Sequence, residues 1–541
     1  MQNVSAAEFR TGFPIVCAFL VILIVYLLSM PTQFITGDSA VEMNIAASGV
    51  INPRSNHLLT STFYGLVIRL ATILGIHDRP FLVAQSANAV IGAFCALILY
   101  KILILLGTGQ ALSLLLMIAF GIFNGTWIHS VNAETGIHPL LFWILSILCW
   151  LQCVALNRRS TLFFTLTLVT ASMSVLFALN MLLFMPVLFA TLLIHSLRAK
   201  TVQLSKMLLI SLIVFVAFLA IPFGTAAYLK GVRTLPEFSS WMLEHPESAR
   251  LTHIGHSATE GLLRAAAGAI SGFVDTRGGV TIVKLAIRGE SLRGTGQLSF
   301  VGLSLGCAIL LIVIYLSMRG LLTRTNRYVG WFCSLGLLSN IPFSARWLGS
   351  DPQFWLPCLP LFIMLAAPGL GAPRTSRARV PYYVLWPAIL VSLLAMNVPH
   401  ESPSIIYPKG GRELRDAHEF SNLVSRGDVL FTPGFSWAVL IDRERPGVRR
   451  IDLVYGDLGE GERFLADVDA RISSALRAHH RVYFDGIQGP RFASQYGAWE
   501  MFQSVRSVSR ERLLKHLQER FSVEPVTASP QGRMSSVSYK G

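Results

Sequence analysis

Charge is scarce in this chain: Asp, Glu, Lys and Arg together make up 14% of its 541 residues, against 53% hydrophobic. A protein of this size cannot cover itself in water with so few ionised groups, which excludes a purely soluble globule. Acidic residues are the scarcer kind, 30 against 45 Lys and Arg, and the formal net charge is +15. Such a balance can mark nucleic-acid binding. Here, however, many basic residues stand in short connections between apolar runs, where they set membrane topology, and no nucleic acid is implied. Cysteine is equally sparse. All seven residues, Cys17, Cys95, Cys149, Cys153, Cys307, Cys333 and Cys358, fall in apolar runs or at their edges, so no disulfide framework is readable. Cys149 and Cys153 share a helix face at i, i+4, yet with no further ligand nearby packing is the plainer reading than a metal site. A Gly-rich phosphate loop and an internal repeat are also lacking.

What the chain has instead is apolar runs long enough to cross a ~30 Å hydrocarbon core. They cover residues 13 to 30, 81 to 106, 111 to 128, 137 to 156, 161 to 178, 181 to 197, 207 to 227, 298 to 318, 328 to 344, 354 to 371 and 381 to 397. The stretch 161 to 197 is split at Asn180, although one bent span has the same hydropathy. The first run, Phe13 to Met30, lacks a small-x-small cleavage site before Pro31 and reads as a retained anchor. The fold class is therefore an α-helical polytopic membrane protein of about 11 transmembrane helices over residues 1 to 400. A C-terminal soluble α/β domain follows over 401 to 541, where amphipathic stretches 412 to 424, 468 to 479 and 511 to 521 alternate with strand-like 428 to 432, 481 to 484 and 523 to 526. Gly486 and Gly489 read there as the end of a strand rather than a nucleotide site.

Lys and Arg recur in alternate short connections: Arg10, Lys101, Arg158 with Arg159, Arg198 with Lys200 and Lys206, Arg319 with Arg324 and Arg327, and Arg374 with Arg377 and Arg379. Cytoplasmic loops retain such residues, so the N-terminus is expected inside and the C-terminal domain outside. Segments 31 to 80, 129 to 136, the turn near Asn180, 228 to 297 and 345 to 353 then share the outer face, and they carry most of the conspicuous polar groups.

The first outer loop opens FITGDSAVEMN, with Asp38 and Glu42 at i, i+4. A helix beginning at Ser39 puts both carboxylates at its first turn beside the membrane, where one could serve as general base; an N-cap role for Asp38 is the plainer alternative. His57 leads an amphipathic segment to Leu70, too short to span, expected to lie in the interface with Tyr64 and Arg69 toward headgroups. His57 is there either a substrate ligand or an interfacial solvated side chain. The next outer turn, GTWIHSVNAETGIHPLL, holds His129, Glu134 and His138. Metal binding is conceivable, but a third ligand is undefined and hydrogen bonding to substrate is the better reading. In SARWLGSDPQFWLPCLPLF, Arg346 can hold a lipid phosphate with its guanidinium fork and Asp351 follows closely, while Trp347 and Trp355 suit an aromatic belt.

The GDS tripeptide, the His57 segment, AQSANAVIGAFCALILY with Asn88, WIHSVNAETGIHPL and FWLPCLPLF, in this order, resemble the GT-C glycosyltransferases, in the branch related to transmembrane protein O-mannosyltransferases. The resemblance covers residues 13 to 160 well, 340 to 371 loosely and the C-terminal domain in general layout. It implies a polyprenyl-phosphate-linked sugar donor, an extracytoplasmic acceptor and inverting attack assisted by the acidic residue of the first outer loop. Asp38 matches that residue, Glu134 the acid of the second outer turn, and His57 the histidine that begins the juxtamembrane helix. The branch usually places its second acid three after the Asp, whereas Glu42 follows by four. The catalytic set is thus Asp38, Glu42 and Glu134, and the substrate-binding set His57, Asn88, His129, His138, Arg346 and Asp351. No cofactor is certain, and a divalent metal is left open. The setting is a plasma membrane, best matched by a bacterial inner membrane. A transporter or flippase of lipid-linked saccharides would place charge at mid-bilayer, and a structural envelope-assembly protein would use the loops only as contact surfaces.

Overall fold

The computed structural model describes residues 6–30, 57–76, 80–133, 135–154, 160–199, 204–242, 258–275, 297–323, 327–346, 352–370, 390–397, 418–433, 445, 447–453, 458–488, 502–503, 506–526 and 534–540. The chain forms two compact units. One comprises Met1–Pro31, Val50–Phe238 and Gly255–Pro408, the other Thr32–Gly49, Ser239–Ile254 and Lys409–Gly541.

The first unit is helical. Helix α1 (Ala6–Ser29) is followed by α2 (Thr60–Ile73), α3 (Pro80–Leu105), α4 (Gln110–Ile122), α5 (Asn124–Val131), α6 (Ile137–Val154) and α7 (Ser160–Phe177). After a 3-10 turn at Leu179–Phe184 come α8 (Met185–Ala199), α9 (Leu204–Phe215) and α10 (Ile221–Leu229), the last two joined by a π turn. The series continues through α11 (Leu235–Met242), α12 (Ala258–Phe273), α13 (Gln297–Thr323) and α14 (Arg327–Arg346). A 3-10 turn at Pro352–Trp355 leads into α15 (Cys358–Gly369), and residues 390–397 are helical.

Among the described residues, Leu82–Leu105, Ile137–Val154, Ser205–Leu229 and Phe300–Leu321 are long and apolar enough to cross a membrane; Phe13–Ser29, Thr161–Phe177, Leu179–His195 and Cys358–Pro368 are shorter apolar stretches. The run expected as one span over 111 to 128 is a bent pair, α4 and α5 meeting at 60°. The packing is inverted relative to a water-soluble protein. Only 22% of the Ser205–Leu229 and Phe300–Leu321 windows is buried, so Leu208, Leu212, Ile221, Leu311 and Met318 face outward, as side chains do whose solvent is lipid. Asn88, Thr126, Thr135, Ser146 and Asn397 are wholly enclosed instead. Small residues let the helices close on this interior: a Cβ at Gly92 would collide with Ser130, bringing α3 onto α5.

The second unit contains a five-stranded mixed sheet of order β2-β1-β3-β5-β4, built from β1 (Val429–Thr432), β2 (Arg449–Asp452), β3 (Val482–Asp485), β4 (Phe521–Pro525) and β5 (Met534–Tyr539). Strands β2, β1 and β3 run parallel, and β5 is antiparallel to both β3 and β4. One face packs on α16 (Gly461–Arg477) and α17 (Arg510–Arg520). Phe464, Leu465, Val468, Ile472 and Ala475 recur at helical spacing on α16 and meet Phe431 and Phe484, whose rings stack at 4.4 Å. The three expected strands are present within a few residues. Two were not anticipated: RRID at β2 is charge-rich and MSSVSY at β5 is polar, and neither carries the apolar alternation that marks a strand. Of the expected helix 412 to 424 only the part from 418 is described, helical over 418–421. Gly486 follows β3 at φ +67°, a left-handed position that suits glycine and ends the strand; Gly489 lies outside the described residues.

Candidate functional site

The start of α2 is docked on the end of α7. Helix C-termini leave carbonyls without intrahelical partners, and here Leu176 O accepts from Leu59 N at 3.1 Å. Phe177 O accepts from His57 Nδ1 at 3.1 Å and Thr60 Oγ1 at 3.5 Å. A carbonyl can only accept, so Nδ1 of His57 carries the proton. His57 is buried, 6% exposed, which corrects the expectation of an interfacial solvated ring. Tyr64 is corrected likewise: it does not face headgroups but is fully buried, its hydroxyl accepting from Asn88 Nδ2 at 2.9 Å. Arg69 is exposed, beside outward-facing Leu66, Leu70 and Ile73.

Asn88 joins α2 to the α5–α6 turn, because its Nδ2 also donates to Asn132 O at 2.8 Å. His138, at the start of α6, stacks on Phe177 at 5.3 Å and meets Phe63 and Tyr64 edge-on. Both its ring nitrogens are buried with no hydrogen-bond partner among the described residues. His129 lies buried on α5, and glycine at 136 makes room for it, since a Cβ there would come within 2.7 Å of its Nδ1. His57, Asn88 and His138 thus belong to one buried layer, joined through Tyr64 and Phe177, and Asn132 ties the α5–α6 turn to it.

A second cluster surrounds the Pro352–Trp355 turn. Gln353 Nε2 donates to Thr135 Oγ1 at 3.0 Å, Asn340 Nδ2 to Phe354 O at 3.1 Å, and Trp143 Nε1 to Pro357 O at 3.1 Å. Arg346 ends α14 and is exposed. Beside it, Gly261 of α12 abuts the carbonyl of Ala345 so closely that a side chain would clash. One turn further along α12, Arg264 pairs with Glu260 at 2.6 Å, while its buried Nε has no partner among the described residues. Sequence reasoning passed over Asn132, Thr135, Gln353 and Arg264. Only Arg264 carried a local signal, the i, i+4 pairing with Glu260 within the outer segment 228 to 297.

Asp38, Glu42, Glu134 and Asp351 lie outside the described residues. Among the described residues, no three His, Cys, Asp or Glu side chains come together as metal ligands.

No protein-family model and no curated protein sequence matches the chain. Among solved structures it is similar to ArnT from Cupriavidus metallidurans in the apo state, with TM-score 0.56, 10% identity and 98% of each chain covered. The same protein bound to undecaprenyl phosphate gives TM-score 0.54 and 11% identity, again over 98% of each chain. The Pmt1-Pmt2 O-mannosyltransferase complex of S. cerevisiae bound to the sugar donor aligns at TM-score 0.35 and 14% identity, over 44% of this chain and 35% of that chain, too slight a likeness to bear on the fold. Over nearly its whole length, the chain thus shares the fold of ArnT.

Proposed function

We propose that this protein is a membrane glycosyltransferase that moves a sugar from a polyprenyl-phosphate-linked donor to an extracytoplasmic acceptor. The observation that carries this reading is the fold shared with ArnT over 98% of both chains, one of those ArnT structures being bound to undecaprenyl phosphate. A donor of that kind partitions into the bilayer with its phosphate at the surface, and the reacting groups must wait at that depth. The chain crosses a bacterial inner membrane with its N-terminus in the cytoplasm and its C-terminal domain outside.

Asp38, placed directly after the first span in the sequence, accepts the proton of the acceptor hydroxyl as it attacks the anomeric carbon, and inversion follows from a single displacement. The lipid phosphate leaves with its charge balanced by guanidinium groups. Arg346 serves this role, supported by Arg264, whose buried Nε has no partner among the described residues. The buried layer of His57, Asn88 and His138 orients the sugar, and Glu42, Glu134, His129 and Asp351 complete the proposed set of substrate-directed residues.

Purified protein in nanodiscs, given radiolabelled polyprenyl-phosphate sugars and envelope glycolipid acceptors, tests this. Wild type transfers label to the acceptor, and Asp38→Asn lowers turnover by about a hundredfold or more. Retained turnover in folded Asp38→Asn removes Asp38 from the chemistry.

A further inference from the structure

Each strand of the sheet in the second unit carries a basic residue at the same end. Arg449 opens β2, Arg426 stands in the turn before β1, and Arg481 and Arg520 immediately precede β3 and β4. Lys540 immediately follows β5, which is antiparallel to β3 and so brings its last residue to this same end. The opposite end is acidic: Asp452 closes β2 and Asp485 closes β3. All of the basic side chains named are exposed. In the order of the sheet they follow one another as Arg449, Arg426, Arg481, Lys540 and Arg520, and strands ~4.8 Å apart make this rim about 20 Å long.

The carboxylates nearby leave the rim positive. Asp469 takes up Arg520 and His516. Asp428 is buried and holds backbone: its Oδ2 accepts from Ser425 N at 2.8 Å and its Oδ1 from Arg481 N at 2.9 Å, while its carbonyl accepts from Arg449 N at 2.8 Å. One buried acid thus pins the turns that present Arg426, Arg449 and Arg481. Gly427 N adds a bond to Gly447 O at 2.8 Å, and both glycines take left-handed φ values, +94° and +99°. Exposed Glu519 is offset by exposed Arg445 and Arg477, which stand ahead of β2 and at the end of α16. Among the described residues, Arg426, Arg449 and Arg481 enter no ion pair.

We infer that this rim docks on the headgroups of anionic phospholipids. A row of guanidinium groups suits phosphate, which such groups bind bidentately. Lipid is always within reach, because the chain passes repeatedly between this unit and the helical one, at Pro31–Thr32, Gly49–Val50, Phe238–Ser239, Ile254–Gly255 and Pro408–Lys409. The apolar helix α1 ends at Ser29, just before the first of these passages. Tethering keeps the effective concentration of lipid surface high, so individually weak contacts suffice. The inference is independent of what the helical unit transfers.

Full-length protein carrying a donor dye at Ser538→Cys, an exposed position at the rim end of β5, tests this in nanodiscs with an acceptor dye on the lipid headgroups. The native cysteines are buried or half-buried and compete little for the label. Energy transfer is expected to be higher in phosphatidylglycerol than in phosphatidylcholine, and to fall to the phosphatidylcholine level when salt shortens the Debye length to ~3 Å. Each Lys or Arg near an anionic surface contributes about fivefold to the docked-to-free ratio, so Arg449→Gln with Arg481→Gln lowers that ratio about thirtyfold. Arg463→Gln with Arg512→Gln removes the same charge from the first turns of α16 and α17, at the other end of the sheet, and leaves energy transfer as in wild type. If the rim variant fails to accumulate, the lipid and salt dependence of the wild type decides. Equal energy transfer in the two lipids, or an equal loss in the two double variants, overturns the inference. A wild-type signal that ignores phosphatidylglycerol and responds to soluble polyphosphate also overturns it, and makes the rim a site for a free polyanion.

Discussion

The two units hold together by different means. In the C-terminal unit cohesion is apolar and layered. Phe431, Phe484, Phe464 and Val468 fill the space between sheet and helices, and the one buried cation, Arg506 among the described residues, is satisfied by the carbonyls of Leu453, Leu458 and Gly459. In the helical unit much apolar surface is turned outward and the interior is stitched by amides and hydroxyls. Asn397 is the extreme case. Its Nδ2 donates to Ile122 O at 2.5 Å, and its Oδ1 accepts from Asp275 N at 2.8 Å, so one side chain satisfies the break between α4 and α5 and the end of α12. Trp127 Nε1 on Ser29 Oγ at 2.8 Å is a second such stitch. The difference follows from the surroundings: where lipid replaces water, apolar burial loses its driving force, and unpaired backbone groups become the main penalty.

Core truncation should separate the units most sharply. Phe484→Ala, in the fully buried stacked pair, is expected to destabilise the C-terminal unit by about 3–5 kcal/mol. Leu212→Ala, at a position 59% exposed on the helical unit, should stay within about 0.5 kcal/mol in nanodiscs. Comparable losses in thermal unfolding would break the comparison. Asn397→Ala comes next, at about 2–3 kcal/mol, since two buried backbone groups lose their partner. If it is silent, the stitched-interior account of the helical unit is wrong. Ser29→Ala, which leaves the indole N–H of Trp127 without its acceptor, should cost about 1–2 kcal/mol on the same scale.

The smallest effect lies at a polar connection. Thr234 and Glu237 form a capping box: Glu237 Oε2 accepts from the amides of Arg233 at 2.7 Å and Thr234 at 3.1 Å, and Thr234 Oγ1 accepts from Glu237 N. Those amides, those of Arg233 and then Thr234 foremost, hold the Glu237 carboxyl below its usual range. A depressed folded value means that the contribution is present above the unfolded pKa and lost as pH falls through the folded one. Glu237→Gln should therefore bring the neutral-pH midpoint slightly toward that of wild type in acid, with no difference between them at the acid end; a gap that widens in acid would contradict the assignment.

Sequence pattern reached the two units unequally. Strands β1, β3 and β4 and helices α16 and α17 were legible because apolar spacing encodes them locally, while β2 and β5 depend on pairing across the sheet. The helical, apolar character of the first unit was legible from composition, but the 60° bend at Phe123 was not: Gly121 and Gly125 flank the break without marking it as one, and part of what stabilises it is Asn397, whose amide reaches Ile122 O across 275 positions. The same holds for the candidate site. His57, Asn88 and His138 stood out as polar residues in apolar surroundings, whereas Thr135, Gln353 and Asn132 gain their roles only from partners distant in the chain.

Transfer itself is the most direct test of the whole account. Proteoliposomes carrying a doubly labelled polyprenyl-phosphate sugar, with one isotope in the sugar and another in the lipid, distinguish bond-making from movement. The predicted result is sugar label covalently attached to the acceptor, with lipid label left behind as polyprenyl phosphate. Both labels crossing the bilayer together, with no acceptor product, would contradict a glycosyltransferase and make the protein a carrier of lipid-linked saccharides.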